Sequence, residues 1–153
     1  MYKTGGKDHI RDYATEAFRF YKSTGGAEPY KNKLRDDSLI RSEKTGKSGG
    51  ISKPTEAQVI RAQNAVDEAV AAIADLEAVA RTLDILGGMR NGREILAAVR
   101  IVYFTEAEKP LSKGDISIRV HKASLHIPLG ERSVYRYLLK ARIIFAIERG
   151  LRL

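Results

Sequence analysis

The chain has 153 residues, and the 43% that are hydrophobic suffice for the core of one compact domain, with or without an appendage. Its 27 lysines and arginines exceed its 19 aspartates and glutamates, and the net charge of +8 is typical of proteins that bind nucleic acid or an anionic membrane surface. The lack of cysteine excludes disulfides and thiolate zinc sites, and without a signal peptide or an apolar run of roughly 20 residues we expect a soluble cytoplasmic protein.

The charge is distributed unevenly along the chain. Residues 56–108 contain five basic and nine acidic side chains, whereas residues 109–153 contain ten basic and three acidic ones. Residues 1–55 are again basic, with twelve basic side chains against seven acidic ones. Basic terminal regions that flank an acidic middle region indicate that these regions have different functions.

Residues 8–23 are predicted to form an amphipathic helix. Asp8 is a suitable N-cap, and Thr24-Gly25-Gly26 ends the pattern. The apolar side chains that recur at helical spacing are Ile10, Tyr13, Ala14, Ala17, Phe20 and Tyr21.

Residues 24–54 are rich in glycine and in polar side chains. Ordering such a segment costs backbone entropy that little burial offsets, so we expect a flexible linker here. Within it we expect at most a short helix near Asn32–Arg41 and a mobile stretch over Ser42–Lys53.

Residues 55–86 carry the clearest helical pattern of the sequence. Thr55 is a suitable N-cap, and Gly87-Gly88 is expected to stop the helix. Its apolar residues recur in alternating steps of three and four and define a heptad seam. The seam consists of Val59, Ala62, Val66, Ala69, Ile73, Leu76, Ala80 and Leu83. Two interpretations stay open: the seam packs inside the chain, or Val59–Leu83 forms a homodimeric coiled coil.

Residues 91–104 are predicted to form a further helix. Asn91 and Glu94 have the spacing of a capping box. The apolar stripe of this helix consists of Ile95, Val99, Val102 and Tyr103. A polar stretch over residues 105–114 follows.

The C-terminal segment is predicted to contain two helices joined by a tight turn. Ser112 and Asp115 have capping spacing before the first helix, which ends near Leu125-His126-Ile127-Pro128. The second helix starts after Leu129-Gly130 and ends at Gly150. Its inner face consists of Val134, Leu138, Ala141 and Phe145.

A short helix, a turn and a longer basic helix are typical of the helix-turn-helix that binds double-stranded DNA. The first turns of the second helix would present Arg132, Ser133, Tyr135, Arg136 and Lys140 to base edges and phosphates. Side chains before and within the first helix would hold the DNA backbone; these are Lys113, Arg119 and Lys122.

The amino-acid sequence of this segment resembles the sigma-70-like helix-turn-helix of phage-encoded regulators, in particular the ArpU/RinA-type activators of phage late genes in Gram-positive bacteria. The motif consists of Arg132-Ser133-Val134-Tyr135-Arg136-Tyr137-Leu138-Leu139-Lys140-Ala141-Arg142, then Phe145-Ala146 and Glu148-Arg149-Gly150-Leu151. Residues 10–21 are similar to the start of small phage or prophage proteins of this architecture. The connection Pro128-Leu129-Gly130 is longer than the family's usual turn, and Arg119 stands where a small residue is usual.

Other chemistry has little support in the sequence. His9, His121 and His126 lack zinc-ligand spacing, and no nucleophile stands at a recognisable spacing from a base. The carboxylates of the heptad helix lie mainly off the seam and are expected to be solvated; they are Asp67, Glu68, Asp75, Glu77 and Asp84. We therefore expect no enzyme, no cofactor and no metal site.

The expected fold is all-α, with an N-terminal helix and flexible linker (1–54), a helical hairpin or oligomerisation region (55–104) and a helix-turn-helix module (105–153). The expected function is sequence-specific binding of double-stranded DNA in transcription regulation. The resemblance implies a phage or prophage setting in the cytoplasm of a bacterial host, with RNA polymerase as a possible partner. A phage terminase small subunit and a helical protein-interaction adaptor remain alternatives, and no membrane association is expected.

Overall fold

The computed structural model describes residues 8–45, 55–128 and 130–152, and these form seven α-helices with no β-strand. The all-α prediction is therefore confirmed for the described part of the chain. The helices are α1 (His9–Thr24), α2 (Ala27–Thr45), α3 (Glu56–Glu68), α4 (Val70–Gly87), α5 (Gly92–Val102), α6 (Asp115–His126) and α7 (Gly130–Arg149).

Helix α1 begins and ends where its sequence predicts. Asp8 is the N-cap, and its carboxylate accepts a hydrogen bond from the Arg11 amide at 2.9 Å. Past Thr24, Gly25 adopts a φ of 83° and donates its amide to the Tyr21 carbonyl oxygen at 3.0 Å. Because this left-handed conformation strains any residue that has a Cβ, glycine lets the chain turn directly into α2.

The linker prediction is wrong for residues 27–45, which form the 19-residue helix α2. Its sequence has no apolar stripe, so contacts with other helices stabilise it instead. The helix packs against α3, and the Tyr30 ring meets Phe20 of α1 edge to face, with 5.1 Å between ring centroids. Lys31 lies 3.2 Å from a carboxylate oxygen of Glu28 and 3.8 Å from one of Glu77. The remainder of the predicted linker, residues 46–54, lies outside the described residues.

The predicted helix over residues 55–86 is in fact two helices. Its start is confirmed: the Thr55 hydroxyl accepts from the Gln58 amide at 3.3 Å, and the Gln58 side chain accepts from the Thr55 amide at 2.7 Å. At Ala69, however, the backbone leaves helical geometry, with φ −93° and ψ 20°, and the amide donates only three residues back, to Val66. Helix α3 packs on α2, whereas α4 packs on α1, α2, α5 and α7.

The heptad seam is covered largely by the chain itself. Ala62, Val66, Ile73 and Leu76 are all buried, as the intramolecular interpretation expects. Only Val59, in the first turn of α3, remains 54% exposed.

The core lies between α1, α4 and α7, and α5 and α6 close it. An aromatic cluster stands at its centre, where Phe18 stacks on Tyr103 with 5.5 Å between centroids and lies 5.8 Å from the Phe145 ring. The predicted inner faces are confirmed as buried; for α5 they are Ile95, Val99, Val102 and Tyr103, and for α7 Val134, Leu138, Ala141 and Phe145. Residues of the N-terminal helix and of the C-terminal helices therefore share one core.

A buried arginine of α1 holds the segment that connects α5 to α6. Arg19 of α1 is only 3% exposed, and its guanidinium donates to four carbonyl oxygens. These belong to Tyr103, Thr105, Glu106 and Lys109, at 3.2, 3.1, 2.8 and 2.5 Å. Burial, and next the charge of Arg119, lower the pKa of Arg19 below its usual value.

Asp75 corrects the expectation that the carboxylates of the heptad helix are simply solvated. Its Oδ1 accepts from the Tyr13 hydroxyl and from Arg149 Nε, both at 2.6 Å, and its side chain is 18% exposed. This contact ties α1, α4 and the end of α7 together. Burial, and then the hydrogen bond to Asp75, raise the pKa of Tyr13 above 10.0.

Across the described ranges, none of the helices combines the length and the apolarity needed to cross a membrane.

Candidate nucleic-acid interface

Helices α6 and α7 follow one another across a connection at residues 127–129 and pack against each other. Val120 and Ala123 of α6 are fully buried in the same core as Val134 and Leu138 of α7. The Ile127 amide ends α6 by donating to the Ala123 carbonyl oxygen at 2.9 Å, and its side chain is 2% exposed. The predicted pair of helices is thus present, and its inner faces are fixed by the core.

The starts of the two helices use glycine in the left-handed region. Gly114 precedes α6 with a φ of 87°, and Gly130 opens α7 with a φ of 73°. Ahead of α6, the Asp115 carboxylate accepts from the Ser112 amide at 2.8 Å, which is one half of the predicted reciprocal cap. By contrast, Asn91 makes no side-chain capping hydrogen bond at the start of α5.

Burial of one side of α7 leaves its other side in solvent. Arg132, Arg136 and Lys140 are exposed there, at a spacing of four residues that places them on one face. We call these three residues the basic face. Within the ranges that the structure describes, none of the three forms an ion pair, so their charges are available to an external anion.

One carboxylate stands beside the basic face. A carboxylate oxygen of Glu131, in the first turn of α7, lies 2.7 Å from Nδ1 of His121 in α6, although the two residues are ten positions apart. The contact fixes the start of α7 against the middle of α6. Sequence spacing gives no signal for such a pair, because it depends on how the turn folds back.

The predicted backbone-contacting residues divide into two groups. Lys113 and Lys122 are both exposed. Lys122 adjoins His121, which contacts the first turn of α7, whereas Lys113 lies just before the N-terminus of α6. Arg119 contradicts its predicted role. It is 9% exposed, and its guanidinium donates to the Val102 carbonyl oxygen at 3.2 Å, so it joins α6 to α5 and faces away from solvent.

Ser133 and Tyr135 lie to either side of the basic face. Ser133 is half-buried and lines a groove of about 770 Å³ that α7 forms with Met89 and Asn91 of the α4–α5 turn. Tyr135 is 45% exposed and lines a separate cavity of about 510 Å³ between α1, α6 and α7. In that cavity Arg142 donates to the Tyr103 hydroxyl at 2.9 Å.

Sequence periodicity did not identify the exposed apolar side chains around these helices. Ile118 and Leu125 of α6 are 68% and 72% exposed, and Leu139 and Ile147 of α7 are 47% and 61% exposed. Within the described residues, no three histidines, aspartates or glutamates come together as a possible metal site.

Comparison with known proteins finds no matching family model, no similar curated protein and no similar solved structure.

Proposed function

We propose that this protein binds double-stranded DNA through the basic face of α7, as a helix-turn-helix whose first helix is α6. The observation that carries the proposal is the division of α7 into two sides. One side is fixed in the core by Val134, Leu138 and Phe145, while Arg132, Arg136 and Lys140 project without ion pairs among the described residues. A helix that is packed in the core on one side and carries unneutralised cations on the other suits the major groove.

The residues take different roles in the proposal. Arg132 is in the first turn of α7, where a recognition helix comes closest to base edges, and arginine donates two parallel hydrogen bonds to guanine. Arg136 lies one turn further on. In the proposal the exposed side chains of Lys140, Lys113 and Lys122 contact phosphates, which position the protein but read no sequence.

The charge of the surrounding segment favours a polyanion over a small anionic ligand. Together with Lys113 and Lys122, the three residues of the basic face make five exposed cations. These cations extend from the start of α6 to the middle of α7. A small anion can neutralise one or two such charges, whereas a DNA backbone offers a row of phosphates. Transcription regulation of phage or prophage genes, by contact with bacterial RNA polymerase, is the role that the sequence resemblance supports.

A salt titration of DNA affinity tests the proposal. The logarithm of the association constant should fall linearly with the logarithm of the salt concentration, with a slope of about −0.9 for each phosphate neutralised. If most of the five cations reach phosphates, the slope should be about −3 to −4.5 per chain. The matched control is Arg61→Ala, which removes an exposed arginine of α3 and should leave the slope unchanged. A slope near zero for the wild-type protein would refute DNA binding.

A further inference from the structure

The cavity of about 510 Å³ between α1, α6 and α7 has the size and the lining of a site for a small molecule. Such sites are mostly apolar and contain a few polar groups that orient the ligand. Leu111, Ile116 and Leu138 supply the apolar part of this lining. Water fills such a space poorly, because these side chains offer it no hydrogen bonds.

The hydroxyl group of Thr15 is a polar group of this cavity that has no partner. Thr15 is 8% exposed, and its side chain forms no hydrogen bond with any residue that the structure describes. In the same described part of the chain, every side-chain nitrogen or oxygen atom that is fully sealed from solvent has a hydrogen-bond partner. The Thr15 hydroxyl therefore opens onto free space, and the cavity is the space that Thr15 lines. A buried hydroxyl without a partner in the protein is costly unless water or a ligand supplies one.

A guanidinium group and a second hydroxyl group line the same cavity. Arg142 Nη1 donates to the Tyr103 hydroxyl at 2.9 Å, and Arg142 forms no ion pair within the described ranges. Tyr103 is 1% exposed, and its hydroxyl proton has no acceptor among the described residues. The guanidinium and the two hydroxyls thus hold donors that no described acceptor uses. A carboxylate suits them, because its two oxygens accept several hydrogen bonds and pair with arginine.

The charged groups of the lining balance one another. Arg11 lies 3.6 Å from Asp12, which leaves Arg142 and Glu16 as the charged lining residues without an ion pair in the described chain. Glu16 is exposed and stands on the solvent side, whereas Arg142 is half-buried. Glu16 would repel a ligand that carries a carboxylate alone, and Arg142 would repel one that carries an ammonium group alone. One free cation and one free carboxylate therefore favour a ligand that carries both charges.

We propose that this cavity binds a free α-amino acid that has a large apolar side chain. The ligand carboxylate accepts hydrogen bonds from Arg142, Tyr103 and Thr15, and its ammonium group faces Glu16. Its side chain packs on the apolar part of the lining, and a volume of about 510 Å³ selects a large side chain because a small one leaves most of the space empty. This site is separate from the basic face of α7 and goes beyond the proposed function.

Calorimetric titration of the full chain with L-phenylalanine, L-leucine and L-tryptophan tests the proposal. At least one of these amino acids should bind, and analogues that lack one of its two charges should bind at least about tenfold more weakly. For phenylalanine the analogues are 3-phenylpropanoate, which lacks the ammonium group, and 2-phenylethylamine, which lacks the carboxylate. If none of the three amino acids binds at millimolar concentration, the cavity holds water only and the proposal is overturned. Equal affinity for an amino acid and for either of its analogues also overturns it.

Substitutions in the lining test the individual contacts. Thr15→Val should weaken amino-acid binding about tenfold, whereas Thr15→Ser, which keeps the hydroxyl, should stay within about threefold of the wild type. Glu16→Gln should remove the preference for the amino acid over the analogue that lacks the ammonium group. Glu16 is exposed, so this substitution tests the site even where Thr15→Val disturbs packing. Its matched control is Glu68→Gln, at an exposed position of α3 outside the cavity, which should leave the preference unchanged.

The variants also define the results that contradict the proposed contacts. Binding that Thr15→Val leaves unchanged, or a preference that survives Glu16→Gln, overturns the proposal. Loss of the preference in Glu68→Gln to the same degree as in Glu16→Gln overturns it as well. Because these titrations contain no DNA, a negative result leaves the DNA-binding proposal standing, and failure of the DNA-binding proposal leaves a positive result standing.

Discussion

Replacement of Arg19 by alanine tests whether the α5–α6 connection depends on one side chain of α1. The guanidinium donates to the carbonyl oxygens of Tyr103, Thr105, Glu106 and Lys109, and the residue is 3% exposed. A hydrogen bond to a charged group contributes about 1.5–3 kcal/mol. Three of the four acceptors are only partly buried, so water replaces much of what Arg19→Ala removes, and the contributions do not add. We expect the free energy of unfolding to fall by about 2–4 kcal/mol.

Urea denaturation followed by circular dichroism measures this change. Arg19→Lys should recover less than half of the loss, because an ammonium group cannot reach four acceptors in the fork geometry of a guanidinium. Arg11→Ala is the matched control on the same helix: Arg11 is exposed and pairs with Asp12 at 3.6 Å, so its removal should change stability by less than about 0.5 kcal/mol. Hydrogen exchange should also accelerate over residues 103–110 in Arg19→Ala. If Arg19→Ala is as stable as Arg11→Ala, the four hydrogen bonds do not stabilise the connection.

Two further predictions concern single positions. At Gly92, an added Cβ would lie 2.5 Å from the Leu86 carbonyl oxygen and 2.7 Å from that of Gly87, so Gly92→Ala should lower the unfolding free energy by about 1–3 kcal/mol. Gly88→Ala is its control, since the nearest atom there is 3.6 Å away, and an equal loss at both glycines would contradict the steric reason. The raised pKa of Tyr13 means that its contribution is complete below pH 10.0 and is lost as the pH rises toward the folded-state value, because the unfolded chain ionises first. Tyr13→Phe should therefore flatten the fall in stability above about pH 10; a wild-type slope that Tyr13→Phe leaves unchanged would argue against the contact with Asp75.

Periodicity predicted the helices whose apolar residues form a stripe. The inner faces of α5 and α7 follow the 3.6-residue repeat, whereas the stripe predicted for α1 omitted Phe18, which is fully buried, and included Tyr13, which is 39% exposed. The pattern failed for α2, because the few apolar residues of that helix form no stripe, and it is stabilised by packing on α3 and by the contact between Tyr30 and Phe20. It also failed at Ala69, where the heptad seam continues through a break that has no glycine or proline to mark it.

The sequence predicted part of the candidate interface and missed another part. Exposure of Arg132, Arg136 and Lys140 follows from burial of the opposite side of α7, which the sequence pattern indicates. The burial of Arg119 does not follow from the sequence pattern, because a charged side chain is expected in solvent unless acceptors from elsewhere in the chain reach it. Its acceptor, the Val102 carbonyl oxygen, is seventeen residues away and is placed there by the packing of α5 on α6.

The measurement that tests the central claim most directly compares Arg132→Ala and Lys140→Ala on a DNA site selected by the wild-type protein and on random DNA. Arg132→Ala should lose about 1–3 kcal/mol on the selected site and relax the preference at one base position, and Arg136→Ala should behave in the same way. Lys140→Ala should weaken both DNAs alike, as a phosphate contact does. Should Arg132→Ala bind both DNAs as tightly as the wild-type protein does, the basic face of α7 is not the DNA-binding surface.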